Sequence, residues 1–214
     1  MIPKRQRVFA IIVIALAVAL GGLRWWMAQN RPAPQTASAF HGATFEPVVQ
    51  APPIQMTDHK GRLFDLHGET SAGNVVVLFF GYTSCPDVCP TTLAHHKQVK
   101  ELLGDKSDRV RFVMVSVDPE RDTRERMGQY VEAFDADFIG ITGSLEELAP
   151  VWRAYNVAPE KEEVPGSALG YAVSHPAFTY VVDKAGNLRL VHFLGIPADA
   201  VAEDLIKLVD ERVS

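Results

Sequence analysis

The chain has only two cysteines, and both lie in the segment FFGYTSCPDVCP at residues 79–90. The β-branched and aromatic residues before Cys85 predict a strand that is buried on both faces. Just after Cys89, a helical pattern begins at Pro90 and ends at Gly104. A strand, a short cysteine-containing loop and a helix indicate an α/β fold with both thiols at the edge of the sheet, where binding sites usually form.

Strands and helices alternate along most of the chain. Buried strands are predicted at 74–82, 109–118 and 137–142, hairpins at 54–66 and 178–195, and helices after Pro90, Thr123, Ser144 and Asp199. Such alternation, followed by a hairpin and a closing helix, predicts a three-layer α/β/α domain with a mixed central sheet.

Length and charge narrow the class of protein. The chain has 214 residues, which suits one domain with additional segments, and 47% of the residues are hydrophobic. The net charge is -5 and the sequence pI is about 5.8. These values argue against a disordered chain and against a nucleic-acid partner.

The first segment is basic and then apolar. An apolar run at 8–23 follows a basic cluster, and Arg24 and two tryptophans come next. A bilayer core needs about 20 apolar residues, and Arg24 and the tryptophans can lie at the membrane interface. We therefore predict one transmembrane helix at 8–27. The alternative is a cleaved signal peptide, since TASAF offers a small-residue cleavage site that ends at Ala39.

These features divide the chain into three parts. Residues 1–28 are the predicted cytoplasmic basic tip and membrane anchor, 29–53 a tether rich in Pro and Ala, and 54–214 the folded domain. Because basic flanks stay in the cytoplasm, we expect a single-pass protein of a bacterial inner membrane with its domain in the periplasm. Cysteines can pair in that oxidising compartment.

Cys85 and Cys89 could form a structural disulfide, a redox pair or part of a metal site. A bridge over so short a loop removes little unfolded-state entropy, about 2 kcal/mol against more than about 4 kcal/mol for a long loop. The start of a helix lowers the pKa of a thiol, which favours reactive thiols over a structural bridge. Two thiolates four residues apart can also bind one soft ion such as Cu(I) or Zn.

A metal would need a third ligand from elsewhere in the chain. His175, in GYAVSHPAFTYVV, precedes a strand of the closing hairpin, so its loop could reach the cysteines. A lone histidine is more often a surface or capping residue, and the residues alone leave both interpretations open. His95 and His96 lie on the helix after the cysteines, and we interpret them as mostly solvated.

Two aspartates form a further candidate group. Asp118 and Asp122, in VSVDPERDT, follow the second buried strand. They suit a turn and a helix cap. They could equally support the metal ligands from behind or form an acidic patch that docks a partner, and the sequence does not decide between these interpretations.

The segments FFGYTSCPDVCPTTLA, VSVDPERDT and YAVSHPAFTYVVDKAGNL occur in this order behind a predicted anchor, and together they resemble the Sco/SenC proteins. The resemblance extends from about Pro53 to the C-terminus. It implies a thioredoxin-like fold that binds copper through Cys85, Cys89 and His175. One departure is Pro176, where the family pattern has a small hydroxylated residue. Pro176 restricts His175 to extended backbone angles.

The resemblance also implies a role and partners. The expected role is that of a copper chaperone, not primarily an enzyme, that matures the dinuclear copper (CuA) centre of cytochrome c oxidase. The expected partners are the CuA-bearing subunit or another copper protein, together with a periplasmic copper donor and a thiol reductase.

Two alternatives remain at this stage. The first is a thiol–disulfide oxidoreductase that reduces the cysteines of an oxidase subunit, although three residues separate Cys85 from Cys89 and the usual motif has two. The second is a thiol peroxidase, which would need an activating Thr three residues before its cysteine, where this chain has Tyr82.

Overall fold

The computed structural model describes residues 20–22, 24–26, 40–167 and 170–212. It divides into two compact units, Met1–Ser38 and Ala39–Ser214. Among the described residues, no helix has the length and apolar character needed to cross a membrane. Most of the predicted anchor at 8–27 lies outside the described residues, and the fold below is that of the second unit.

Ten strands form in the described part of the chain. They are β1 (Ala43–Gln50), β2 (Gln55–Thr57), β3 (Leu63–Asp65), β4 (Val75–Gly81), β5 (Val110–Ser116), β6 (Ile139–Ile141), β7 (Glu160–Glu163), β8 (Tyr171–Ser174), β9 (Thr179–Val182) and β10 (Asn187–His192). Six of them make the main sheet, in the order β1-β10-β9-β4-β5-β6. β4, β5 and β6 are parallel, whereas β9, β10 and β1 join them in antiparallel pairs, so the sheet is mixed as predicted.

Five α-helices accompany the strands within the described residues of this unit. They are α1 (Leu66–Ser71), α2 (Val88–Leu103), α3 (Arg124–Glu132), α4 (Leu145–Ala154) and α5 (Ala198–Asp210), and a 3₁₀ helix at Gly104–Arg109 follows α2. Their starts follow the sequence signals, since Thr123 caps α3 and Ser144 forms a capping box with Glu147 at α4.

The central strand β4 is buried along its whole length because helices cover both faces of the sheet. On one face, the ring of Phe79 lies 6.1 Å from that of His96 in α2. On the other face, the ring of Phe80 lies 5.4 Å from that of Tyr155, at the end of α4. This arrangement confirms the predicted α/β fold, and it places the loop between β4 and α2 at one edge of a rigid core.

Three parts of the structure differ from the sequence prediction, and the first is α1 (Leu66–Ser71), a helix that was not predicted. β1 lies inside the segment predicted as a tether at 29–53, and it pairs with β10 at the edge of the sheet. The hairpin of β7 and β8 was not predicted at all. Neither strand could be recognised from hydrophobic periodicity. Most residues of β1 and all residues of β7 are exposed, so their sequences show no alternation of apolar and polar residues.

Candidate metal centre

The two cysteines occupy different environments although they share one loop. β4 ends at Gly81 and α2 begins at Val88, so Cys85 lies in the connecting loop and Cys89 in the first turn of the helix. Cys85 is partly exposed and Cys89 is fully buried, and both are free thiols. The backbone N–H of Cys89 donates to the sulfur of Cys85 at 3.4 Å, which holds the two residues together.

These environments shift the two thiol pKa values in opposite directions. The side chain of Cys89 donates a hydrogen bond to the sulfur of Cys85, and the backbone of Asp87 and the hydroxyl of Tyr82 also stabilise the Cys85 thiolate. Although burial opposes them, these bonds lower the pKa of Cys85 to about 5. The same contact and burial raise the pKa of Cys89. At neutral pH the pair is therefore one partly exposed thiolate beside one buried thiol.

His175 follows β8 and lies next to the cysteine loop. Its ring centroid is 6.1 Å from that of Tyr82, whose hydroxyl accepts a hydrogen bond from the backbone of Val173 at 3.3 Å. Burial lowers the pKa of His175, while the carbonyl of Pro176 and the charge of Cys85 act in the opposite direction. His175 Nδ1 lies 3.1 Å from that carbonyl, so donation there leaves Nε2 as the nitrogen for a metal.

The donor set fits a soft ion, but the three groups are not gathered around one point. Within the part of the chain that the structure describes, no group of three or more His, Cys, Asp or Glu side chains is arranged to bind a metal ion. Two sulfurs and one imidazole nitrogen nevertheless match the preferences of copper. Tyr82 contacts both the cysteine loop and His175, so it lies between the cysteines and the histidine. The three candidate ligands do not form a closed site.

Hydrogen bonds to Asp122 connect the loop that contains Cys85, between β4 and α2, to the central sheet. The carboxylate accepts hydrogen bonds from the backbone N–H of Thr83 at 3.1 Å, from the Thr83 hydroxyl at 2.6 Å and from the Ser116 hydroxyl at 2.6 Å. Burial raises the pKa of Asp122, the bonds from Ser116 and Thr83 lower it, and the charge of Asp118 also raises it. Asp122 is only 1% exposed, so in this conformation it supports the loop from behind.

Asp118 makes the corresponding connection to the histidine side of the site. It is 0% exposed, and its carboxylate accepts a hydrogen bond from the hydroxyl of Tyr171 at 2.9 Å and pairs with Arg121. The guanidinium of Arg121 lies 3.7 Å from the ring centroid of Tyr171 and 5.6 Å from that of Tyr82. Because β8 begins at Tyr171, this network connects the end of β5 to the strand that leads to His175.

The sequence did not identify several of these supporting residues. Tyr82, Thr83, Ser116, Arg121 and Tyr171 were not predicted to act in the site. Tyr82 and Thr83 could have been suspected from their position beside Cys85. The contact between Asp118 and Tyr171 had no local signal, because 53 positions separate the two residues.

The prediction for the histidines of α2 was wrong for His96. Its side chain is 3% exposed, Nε2 lies 3.1 Å from the hydroxyl of Thr179, and burial lowers its pKa to about 3. His96 stands seven residues after Cys89, and both residues face the core. His95 is partly buried as well.

Comparison with known proteins identifies the family. The SCO1/SenC family model matches residues 44–210. The chain belongs to the SCO1/SenC family. An SCO2-like protein of Rickettsia prowazekii is 28% identical over 90% of this chain and 93% of its own length. A protein of Stutzerimonas stutzeri, described as a putative copper-binding protein, is 33% identical over 64% of this chain and 66% of its own length.

The solved structures of SCO1/SenC relatives agree with the fold. A copper-bound structure of ScoI from Bradyrhizobium japonicum superposes with a TM-score of 0.67 at 34% identity. The match covers 75% of this chain and 99% of the ScoI chain. The thioredoxin-like α/β fold with a mixed sheet, predicted from the resemblance, is therefore confirmed.

Proposed function

We propose that this SCO1/SenC protein is a membrane-anchored copper chaperone of the bacterial periplasm. It binds one copper ion through Cys85, Cys89 and His175 and delivers the ion to the CuA centre of cytochrome c oxidase. The observation that supports this most is the pairing of a partly exposed thiolate with a buried thiol beside the loop of His175. The copper in the related ScoI structure and the description of the S. stutzeri relative support the choice of metal.

The order of binding follows from the two pKa values. Cys85 offers a thiolate at neutral pH, so incoming copper meets this sulfur first. Cys89 then loses its proton to become the second ligand, because only the thiolate binds a metal strongly. The Nε2 atom of His175 completes the set when its loop closes on the ion.

Release depends on the same three groups. The His175 loop leaves Cys85 partly exposed, so a thiolate of the recipient can approach the copper and replace the ligands one at a time. A disulfide between Cys85 and Cys89 would remove both sulfur ligands, so a chain that has become oxidised must be reduced by a thiol reductase before it can bind copper.

A competition titration tests this proposal. The reduced full-length chain is titrated with Cu(I) against a chelator, in parallel with Cys85→Ser, Cys89→Ser and His175→Ala. We expect one tightly bound copper per chain, lost in both cysteine variants and weakened in the histidine variant. His41→Ala is the matched control, because His41 is exposed and bonds to Glu203. Equal affinity in the wild type and both serine variants would contradict the proposal.

The second candidate function is thiol–disulfide exchange without a metal. The low pKa of Cys85 and the raised pKa of Cys89 are also the pattern of an attacking thiolate and its resolving thiol. His175→Ala separates the two functions. A reductase keeps most of its rate of disulfide reduction without His175, whereas a copper chaperone loses tight copper binding.

A further inference from the structure

A cavity lies beside α2, the helix that begins next to the two cysteines. It has a volume of about 430 Å³ and lies between α2, the start of β9 and the loop that follows β10. Neither Cys85, Cys89 nor His175 lines it. Thr91 and Ala177, which do line it, are each two positions beyond a predicted copper ligand, so the cavity is next to the proposed copper site.

Three histidines line this cavity, and two of them each have a nitrogen that is buried and has no hydrogen-bond partner. The atoms are Nε2 of His95, on α2, and Nδ1 of His192, at the end of β10. A buried polar atom without a partner is costly, typically by about 1–3 kcal/mol. Most of the other side chains that line the cavity are apolar, with Leu194 and Val201 among them.

His192 is oriented by a buried carboxylate. Its Nε2 lies 3.0 Å from Oδ2 of Asp204, and the side chain is 3% exposed. Burial raises the pKa of Asp204, but bonds from His192 and from the backbone N–H groups of His41 and Gly42 outweigh it and lower the pKa. In the neutral form of the imidazole, the hydrogen bond to this carboxylate places the proton on Nε2 and leaves the lone pair on Nδ1.

His95 also has a ring nitrogen with a lone pair that is available in the cavity. Burial lowers its pKa, a hydrogen bond to the backbone of Ile196 acts in the opposite direction, and the nearby imidazole of His192 lowers the pKa further. The net shift is downward, so the ring is neutral at pH 7. The third histidine of the cavity, His96, is already engaged with the hydroxyl of Thr179. His95 and His192 are therefore the two histidines of the cavity with an unused nitrogen.

We propose that His95 and His192 form a second metal site that binds Cu(I) through Nε2 of His95 and Nδ1 of His192. Imidazole nitrogen suits copper, and a metal-binding histidine commonly donates its other N–H to a carboxylate, as His192 does to Asp204. Structural zinc sites need four ligands, and no third His, Cys, Asp or Glu joins the pair among the described residues. Cu(I), a d10 ion that is stable with two ligands, is the ion that this site fits.

The test uses the full-length chain with Cys85→Ser and Cys89→Ser, so that the proposed copper site cannot contribute. We expect this chain to bind one Cu(I) more weakly than the site that contains the cysteines, in a titration against a weaker chelator, and His95→Gln to abolish the binding. Asp204→Asn should weaken it about 10- to 100-fold, the usual effect of losing a carboxylate behind a ligand. The matched control is His41→Gln, which alters an exposed histidine outside the cavity and should leave the affinity unchanged.

Imidazole ¹⁵N NMR of the same double-serine chain gives a readout that does not depend on further substitution of buried residues. Addition of Cu(I) should shift His95 Nε2 and His192 Nδ1 and leave the nitrogens of His41 unmoved. Absence of bound Cu(I), or binding that His95→Gln does not change, would overturn the second site; the cavity would then contain only water. Either result leaves the proposal for Cys85, Cys89 and His175 intact, because the cysteines are absent from this experiment.

Discussion

Cys85 and Cys89 have the same side chain but opposite pKa shifts, and the difference arises from their positions in one turn of the chain. Cys85, before the helix, receives hydrogen bonds from two backbone N–H groups, from Cys89 and from Tyr82. The side chain of Cys89 packs into the core and donates a hydrogen bond to the sulfur of Cys85. The sequence could predict the location of the pair at a helix start, because strand, loop and helix are local. It could not predict the contribution of Tyr82 or the nearness of His175, which depend on packing between distant segments.

The pH dependence of Cys85 reactivity tests this assignment. Only the thiolate reacts, so the rate of alkylation by iodoacetamide should fall as the pH drops through about 5, the pKa of Cys85. Cys89→Ala removes a hydrogen bond to the thiolate and should raise the midpoint by about one to two pH units. Cys85→Ser is the control and should lose the fast reaction. A wild-type midpoint near the ordinary thiol value of 9.0 would contradict the assignment.

A substitution of Asp122 tests whether this single residue holds the loop that contains Cys85 in place. Asp122→Asn leaves one acceptor oxygen in place of two, so the side chain can accept the bonds from Thr83 or the bond from Ser116 but not both. We expect the free energy of unfolding to fall by about 1.5–3 kcal/mol, as measured by urea denaturation. Asp105→Asn, at an exposed position, should change it by less than about 0.5 kcal/mol. Equal effects of the two substitutions would refute the role of Asp122 in fixing the loop.

At the scale of elements, the buried strands and capped helices were the predictable part of the fold. β4 is a continuous apolar run, and β5 is apolar except for Arg111 and Ser116. Thr123 and Ser144 cap the starts of their helices as the capping rules require. β1 and β7 were missed because exposed strands have no hydrophobic period, and their existence depends on the strand with which they pair.

The end of β4 is the element that sets the position of Cys89. A Cβ atom at Gly81 would lie 2.6 Å from Cε1 of Phe79, 3.0 Å from Sγ of Cys89 and 3.1 Å from Cε of Met114. Gly81→Ala should therefore push the cysteine and its neighbours apart and cost about 1–3 kcal/mol of stability. Urea denaturation measures the loss, and the alkylation midpoint of Cys85 should move with it.

Gly68→Ala is the control for this substitution. Gly68 lies in α1, and a Cβ atom added there would have the Cβ of Asp65 as its nearest neighbour, at 3.3 Å. Alanine favours a helix, so we expect little change in stability there. A Gly81→Ala protein as stable as the Gly68→Ala protein, with an unchanged alkylation midpoint, would show that β4 does not position Cys89.

At the scale of the whole molecule, β1 belongs to the folded domain. The buried carboxylate of Asp204 accepts hydrogen bonds from the backbone N–H groups of His41 and Gly42, just before β1, and this joins the strand to α5. The domain predicted from Ile54 onward thus omitted a segment that completes the sheet, and the family match from residue 44 includes nearly all of β1.

Two shortened chains test this boundary. A chain that begins at Phe40 retains β1 and both N–H donors, whereas a chain that begins at Ala51 leaves Asp204 buried with His192 but without those donors. We expect the shorter chain to be less stable by at least about 2 kcal/mol, since each lost bond to a buried acceptor costs about 1–3 kcal/mol. Urea denaturation of both chains gives the difference, and equal stabilities would place β1 outside the domain.

X-ray absorption spectroscopy of the reduced full-length chain, loaded with one equivalent of copper, reports the copper ligands directly. We expect two sulfur ligands and one nitrogen ligand around the copper, with the nitrogen altered in His175→Ala and sulfur ligation lost in Cys85→Ser/Cys89→Ser. A copper environment without sulfur in the wild-type chain would contradict copper binding by the two cysteines, because Cys85 and Cys89 could then serve only as a redox pair.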